Sequence, residues 1–176
     1  MDKNRRTLLD EALALGVGIC LPLQARAQAK GASATRKVVM GQSVPQTGAA
    51  AEIGLAFAAG AKLYVDSFNE RKNNPGWTFE LRQLDDGYDP ARAAANAKKL
   101  TDDGADVLFG FVGTASAEAG AGVAKASDTV LFAPFAASDT LRGEAHPYVF
   151  HVRPSMADEA FKMVRHSSTL GQTRLA

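Results

Sequence analysis

Short apolar runs alternate along the chain with longer segments of helical periodicity. The runs predict five buried strands, at Lys37–Ser43, Thr78–Leu84, Val107–Val112, Val130–Pro134 and Tyr148–Val152. The longer segments predict four helices, at Ala51–Arg71, Pro90–Asp103, Ser116–Ser127 and Ala157–Leu170. Several strands lack strict in-and-out alternation, as expected for parallel strands covered on both faces. The pattern therefore predicts an α/β fold: a doubly wound, mostly parallel sheet with helices on both faces.

Two of the predicted helices carry specific signals. The second has Asp89 as a candidate N-cap and Pro90 at the first helical position, where a missing N–H costs nothing. Gly104 after its last residues fits a helix end. The first helix has an apolar stripe that we expect to pack on the sheet, formed by Ile53, Phe57, Ala61, Tyr64 and Phe68.

The loops that follow the strands are the expected ligand-binding segments, because ligands of doubly wound folds bind at the carboxyl ends of the strands. Gly113 to Ser116 places a glycine turn and two hydroxyls at a helix start, where backbone N–H groups and the helix dipole favour a carboxylate or another anion. The alternative is that Thr114 or Ser116 only caps the helix.

The loop after the fourth predicted strand offers a second set of candidates. Phe135 can form an apolar wall and Ser138 can supply a hydroxyl. The alternative interpretation is a core phenylalanine followed by a serine or aspartate that caps a helix.

The first 29 residues have the order of an export signal. Lys3, Arg5 and Arg6 precede the uncharged stretch 12–23, and small residues follow up to Ala29. Twelve helical residues span about 18 Å, well short of the roughly 30 Å hydrocarbon core of a membrane. We expect a signal peptide cleaved near Ala27 or Ala29, by the general secretory or the twin-arginine route, and a linker at 30–36. The alternative is an amphipathic N-terminal helix.

Composition excludes several classes of function. After residue 29 the chain has 16 basic and 16 acidic residues, because four of its 20 bases and three of its 19 acids precede that point. A neutral chain without basic runs lacks the electrostatic footprint of nucleic-acid binding. Its only cysteine, Cys20, lies in the signal segment, so a mature chain could form no disulfide. The 33 alanines indicate a core built largely from small side chains.

Known catalytic, metal and cofactor motifs are absent from the sequence. His146, His151 and His166 match no zinc spacing and have no nucleophile motif, so we interpret them as surface or turn residues. The aspartates of 85–89 do not follow the ligand spacing of a calcium loop, so we interpret that segment as a loop with acidic capping. No glycine-rich nucleotide motif occurs. We therefore expect a protein that is not an enzyme and binds no metal or cofactor.

Taken in order, the segments of the chain resemble one protein family. They are Lys37-Val-Val-Met-Gly-Gln-Ser43, Thr47-Gly48, Leu84-Asp-Asp-Gly-Tyr-Asp-Pro90, Gly110-Phe-Val-Gly-Thr114 and Tyr148-Val-Phe-His-Val-Arg153. This series is similar to the substrate-binding proteins of branched-chain amino acid ABC transporters, the leucine-binding-protein-like group of type I periplasmic binding proteins. The resemblance implies that 37–176 is an N-terminal lobe, that a second lobe is missing from this sequence, and that ligand binds between the two.

The resemblance also implies the ligand contacts of this lobe. They are expected in the loop of Val112, Gly113 and Thr114, which resembles a clamp on a ligand α-carboxylate, and in the loop of Phe135, Ala136 and Ala137. Relatives often have threonine where this chain has Ala136 or Ala137, so either Ser138 supplies the hydroxyl or the contact with an α-ammonium group is weakened. Ile53 matches a position beside the ligand that is often aromatic in relatives.

The function implied is that of an exported, periplasmic and monomeric solute-binding component of an importer. It would capture an amino acid or an aromatic acid and deliver it to an inner-membrane ABC permease. Two alternatives stay open at this point. One is a ligand sensor of the same fold that controls a partner protein, and the other is an exported α/β enzyme whose catalytic residues lie in sequence not present here.

Overall fold

The fold is built on a parallel β-sheet. The structure, a computed structural model, describes residues 35–71, 76–172 and 174. The proposed signal segment lies outside the described residues, and so does Cys20. The strands are β1 (Arg36–Val44), β2 (Trp77–Asp85), β3 (Val107–Phe109), β4 (Val130–Phe132) and β5 (Val149–Phe150). Their order in the sheet is β2-β1-β3-β4-β5, and all neighbours are parallel.

Within the described residues four helices accompany the sheet and confirm the α/β prediction. They are α1 (Ala51–Asn69), α2 (Pro90–Asp102), α3 (Thr114–Ala126) and α4 (Met156–Thr169). Helices α2 and α3 pack together on one face of the sheet, and α1 lies on the other face over β1 and β2. A 3₁₀ turn at Asp139–Leu141, which the periodicity did not predict, precedes β5.

The core under α2 and α3 explains the abundance of alanine. Small buried side chains of both helices pack against larger apolar residues of the strands and loops. Alanine allows the two helices to approach the sheet and each other closely while they retain a high helix propensity. The buried residues include Ala93, Ala97, Leu100, Leu108, Phe111, Ala117, Ala121, Ala124 and Leu131.

The predicted apolar stripe of α1 is partly wrong. Ile53 and Tyr64 are exposed, at 55% and 65%, and the buried residues of α1 are Gly54, Ala58 and Val65. A methyl group added at Gly54 would lie 1.9 Å from the carbonyl oxygen of Pro45. The helix therefore approaches the loop after β1 so closely that small residues, Gly54 and Ala58, face the protein interior in its first half. The larger apolar side chains lie to the side of the contact between Gly54 and Pro45.

Strands β3 and β4 are shorter than predicted because the chain leaves the ladder at two turns. Gly110 and Ala133 have positive φ angles of 60° and 51°. Pairing resumes beyond these turns as a single bridge between Val112 and Phe135. This interruption brings two loops of the predicted ligand site side by side.

Candidate functional site

The parallel order of the strands places the loops after β1, β2, β3 and β4 at one edge of the sheet. All eight predicted ligand-contact residues lie in these loops or in the first turn of α1 or α3. The sequence therefore selected one contiguous region of the fold.

Helix α3 begins without a capping side chain. Its N-cap is Gly113, whose φ of 91° and ψ of 149° lie in a region that suits only glycine. Thr114 is the first helical residue, and Ser116 is 2% exposed in the same turn. Within the described chain no side chain accepts from the first N–H groups of this helix. The capping alternative for Thr114 and Ser116 is therefore wrong, and the first backbone N–H groups of α3 are left without a side-chain acceptor in the described chain.

The loop after β4 is joined to this helix start by backbone hydrogen bonds. The Phe135 amide donates to the Phe111 carbonyl at 2.8 Å, and the Gly113 amide donates to the Phe135 carbonyl at 3.1 Å. Phe135 is therefore fixed beside Gly113 without the use of any polar side chain.

The predicted contact residues differ in what they can offer a ligand. Val112, Ala136 and Ala137 are 3%, 4% and 5% exposed, so their side chains belong to the core. The remaining five are partly or largely exposed: Ile53, Gly113, Thr114, Phe135 and Ser138. The Ser138 hydroxyl accepts from the Thr140 amide at 3.3 Å and caps the 3₁₀ turn, which is the capping alternative left open by the sequence.

The apolar part of the site is an aromatic contact. The ring of Phe135, 41% exposed, lies 5.3 Å from the ring of Phe57, and the Arg153 guanidinium lies 5.6 Å from the Phe135 ring. Ile53 precedes Phe57 by one helical turn and so lies on the same face of α1. Phe135 is therefore not the ordinary core phenylalanine of the alternative interpretation.

A carboxylate cluster holds the neighbouring loops. Asp85 accepts from the Gln46, Thr47 and Gly87 amides at 2.7, 3.1 and 2.9 Å, and from the Thr47 hydroxyl at 2.7 Å. These donors hold the pKa of Asp85 well below its usual range, with the Thr47 hydroxyl as the largest cause. The Asp89 side chain caps α2, as predicted. The acidic segment thus has the structural role that the sequence indicated.

Sequence reasoning missed the role of Tyr88 at the site. A methyl group added at Gly113 would lie 2.6 Å from Cε2 and 3.0 Å from the hydroxyl of Tyr88, so this ring rests directly on the start of α3. Nothing in the local pattern marks this contact, because it joins two loops that are 25 positions apart.

This edge of the sheet exposes hydrogen-bond donors and apolar side chains. Within residues 35–71 and 76–172, no three histidine, cysteine, aspartate or glutamate side chains are placed to hold a metal ion. The described helices include none that is long and apolar enough to span a membrane. Backbone donors, the Thr114 hydroxyl and the aromatic ring of Phe135 are suited to hold a small anion with an apolar body.

Comparison with known proteins places this arrangement in a family. A profile described as periplasmic binding protein matches residues 37–176. The chain belongs to the periplasmic binding protein family. A possible leucine/isoleucine/valine-binding protein from Rhodopirellula baltica is 31% identical with a TM-score of 0.70, over 79% of this chain and 37% of that one. The family and this neighbour are both described as binding proteins, which confirms the predicted resemblance to periplasmic binding proteins.

Other periplasmic binding protein structures share the fold. A substrate-binding periplasmic protein from Ralstonia solanacearum is 28% identical with a TM-score of 0.63, over 76% of this chain and 38% of that one. A solute-binding protein of an ABC transporter from Rhodopseudomonas palustris, in complex with 3,4-dihydroxybenzoic acid, is 23% identical with a TM-score of 0.65. That match covers 77% of this chain and 37% of the other, and it shows the fold alone. The chain thus spans well under half the length of these proteins. No curated protein matches at a significant level.

Proposed function

We propose that the protein is the solute-binding component of an ABC importer and captures a small carboxylate, an amino acid or an aromatic acid. The observation that carries this proposal is the uncapped first turn of α3, with the Thr114 hydroxyl beside it, at the ligand edge of a periplasmic binding protein lobe. Such a turn stabilises a carboxylate through its N–H groups and its dipole. Phe135 and Ile53 would contact the apolar part of the ligand.

The ligand would be enclosed between this lobe and a second one. Two surfaces of the described chain support such an arrangement. The first lies on the α1 side of the sheet, beyond the part that this helix covers, where Phe132 and Phe150 are 41% and 53% exposed. The second is α4, which has no buried residue although it carries exposed Phe161 and Met163. Parallel sheets are normally covered on both faces, so these apolar surfaces fit contacts with further protein. Closure of the two lobes on the ligand would then shift an open-to-closed equilibrium.

The nature of the ligand depends on the loop at 135–138. Ala136 and Ala137 have no hydroxyl, and the Ser138 hydroxyl is bonded to Thr140 in the 3₁₀ turn. This favours the interpretation in which the contact with an α-ammonium group is weakened. The binding experiment below therefore includes a carboxylate without an α-ammonium group, an aromatic acid, as well as amino acids.

Export to the periplasm and delivery to an inner-membrane permease complete the proposal. The family match supports the compartment, since periplasmic binding proteins are named for it. The description of the Rhodopseudomonas palustris structure as a solute-binding protein of an ABC transporter supports the permease as partner. The proposal includes action as a monomeric, diffusing carrier, as the family resemblance implies.

Calorimetric titration of the full-length protein tests the proposal. The ligands are L-isoleucine, L-glutamine and 3,4-dihydroxybenzoate, with L-isoleucinol and 3,4-dihydroxybenzamide as matched controls that lack the carboxylate. We expect saturable binding of at least one carboxylate and none of its control. Binding of D-galactose in the absence of binding by every carboxylate would overturn the assignment.

A further inference from the structure

Tyr88 occupies an unusual position next to the candidate site. Its backbone has a φ of 67°, a left-handed conformation that bulky residues rarely adopt. Gly87 before it also has a positive φ, of 58°. The second residue of such a turn is commonly glycine or asparagine, so a tyrosine here needs a separate reason.

Hydrogen bonds to a buried carboxylate hold this conformation. The Tyr88 amide donates to Oδ1 of Asp86 at 2.8 Å, and the other oxygen of Asp86 accepts from the Ser43 hydroxyl at 2.7 Å. Asp86 and Ser43 are both fully buried. The direction of the Tyr88 side chain is therefore set by the core, although the side chain itself is not part of the core.

The Tyr88 ring is left available to a ligand. The residue is 51% exposed while its ring edge and hydroxyl rest on Gly113. In the described chain its hydroxyl makes no hydrogen bond, whereas the hydroxyl of Tyr148 donates to Asp128 at 2.5 Å. Because β2 and β4 lie on opposite sides of β3 in the sheet order, Tyr88 and Phe135 reach Gly113 from opposite sides.

We propose that Tyr88 is a specificity-determining residue whose hydroxyl donates to the ligand carboxylate and whose ring forms the wall of the pocket across from Phe135. This inference rests on the proposed function, because it assigns the carboxylate to the first turn of α3. The core-held turn at Asp86 would keep the ring in place before ligand arrives, which reduces the ordering cost of binding.

Titrations of the full-length Tyr88→Phe and Tyr88→Ala variants with L-isoleucine and 3,4-dihydroxybenzoate test the inference. The loss of one hydrogen bond predicts binding about fivefold weaker for Tyr88→Phe, and the loss of the wall as well predicts at least about tenfold for Tyr88→Ala. The melting temperature of the unliganded Tyr88→Phe variant is expected to equal that of the wild type. Tyr64→Phe and Tyr64→Ala are the matched controls, since Tyr64 is 65% exposed near the other end of α1.

The outcomes separate this inference from the proposed function. A wild type that binds none of the three carboxylates but binds D-galactose removes both. Carboxylate binding by the wild type with affinities within twofold for both Tyr88 variants keeps the function and overturns the role of Tyr88. Normal binding by Tyr88→Phe, with Tyr88→Ala both weakened and melting early, indicates a structural role and also overturns the inference.

Discussion

Two pairs of loops at the same edge of the sheet are held in place by different means. The clasped loops, 45–50 and 86–89, are fixed by the side chains of Asp85 and Asp86, which accept from four backbone amides and two hydroxyls. The backbone-paired loops, 110–113 and 133–138, are joined by amide-to-carbonyl bonds such as Gly113 to Phe135.

The difference separates structural from binding chemistry. In the clasped loops the carboxylates and the Thr47 hydroxyl are used within the protein, so they have little left to offer a ligand. In the backbone-paired loops, the first N–H groups of α3 have no side-chain acceptor in the described chain, and the Thr114 hydroxyl makes no hydrogen bond there. Substitution of the carboxylates that hold the clasped loops should therefore act mainly on stability, and substitutions in the backbone-paired loops mainly on ligand affinity.

The largest expected effect is that of Asp86→Ala on stability. The change leaves the buried Ser43 hydroxyl and the Tyr88 amide without their acceptor. Loss of two hydrogen bonds to a buried carboxylate predicts a fall of about 3 kcal/mol in the free energy of unfolding. Urea unfolding of the full-length protein measures it. Asp102→Ala, which removes an exposed ion pair on α2, is the control and should cost less than about 0.5 kcal/mol. A similar cost for both variants would contradict the comparison.

A smaller effect is expected from Asp85, whose contribution to folding stability depends on pH. Its pKa in the folded protein lies below the ordinary value of 3.8, so its contribution to stability is complete at neutral pH and is lost as the pH falls below about 4. Asp85→Asn keeps the shape and removes the charge. Melting temperatures from pH 7 to pH 2.5 should show a gap between wild type and variant that narrows below about pH 4, since the loss is complete only once the pH falls through the lowered pKa. A gap that stays constant would show that the charge of Asp85 is not what fixes the clasped loops.

The secondary structure could be predicted because each element carries its own signal. The Asp89-Pro90 start of α2 needs no information from the rest of the chain, and the structure confirms it. The inward face of α1 could not be predicted from its periodicity, because the contact of Gly54 with Pro45 depends on how the helix lies against a loop. Tertiary packing thus overrode the pattern of larger apolar residues.

For the candidate site, the sequence predicted the loops but not the atoms that they expose. The two loops were identified correctly as neighbours, but which of their atoms reach the surface depends on packing. The side chains of Val112 and Ala136 are buried, and the Ser138 hydroxyl is used by its own turn. The contact of Tyr88 with Gly113 required the three-dimensional arrangement of β2 and β3.

The smallest effect on stability, and the sharpest test of the difference between the loop pairs, is expected for Thr114→Val. Valine keeps the shape of threonine and removes a hydroxyl that makes no hydrogen bond in the described chain, so the free energy of unfolding should change by less than about 0.5 kcal/mol. Affinity for the bound carboxylate should fall about fivefold, since one donor is lost. Calorimetry and urea unfolding are compared with Thr101→Val, whose hydroxyl donates to the Ala97 carbonyl near the end of α2. A Thr114 variant that loses stability but retains affinity would reverse the roles assigned to the two loop pairs.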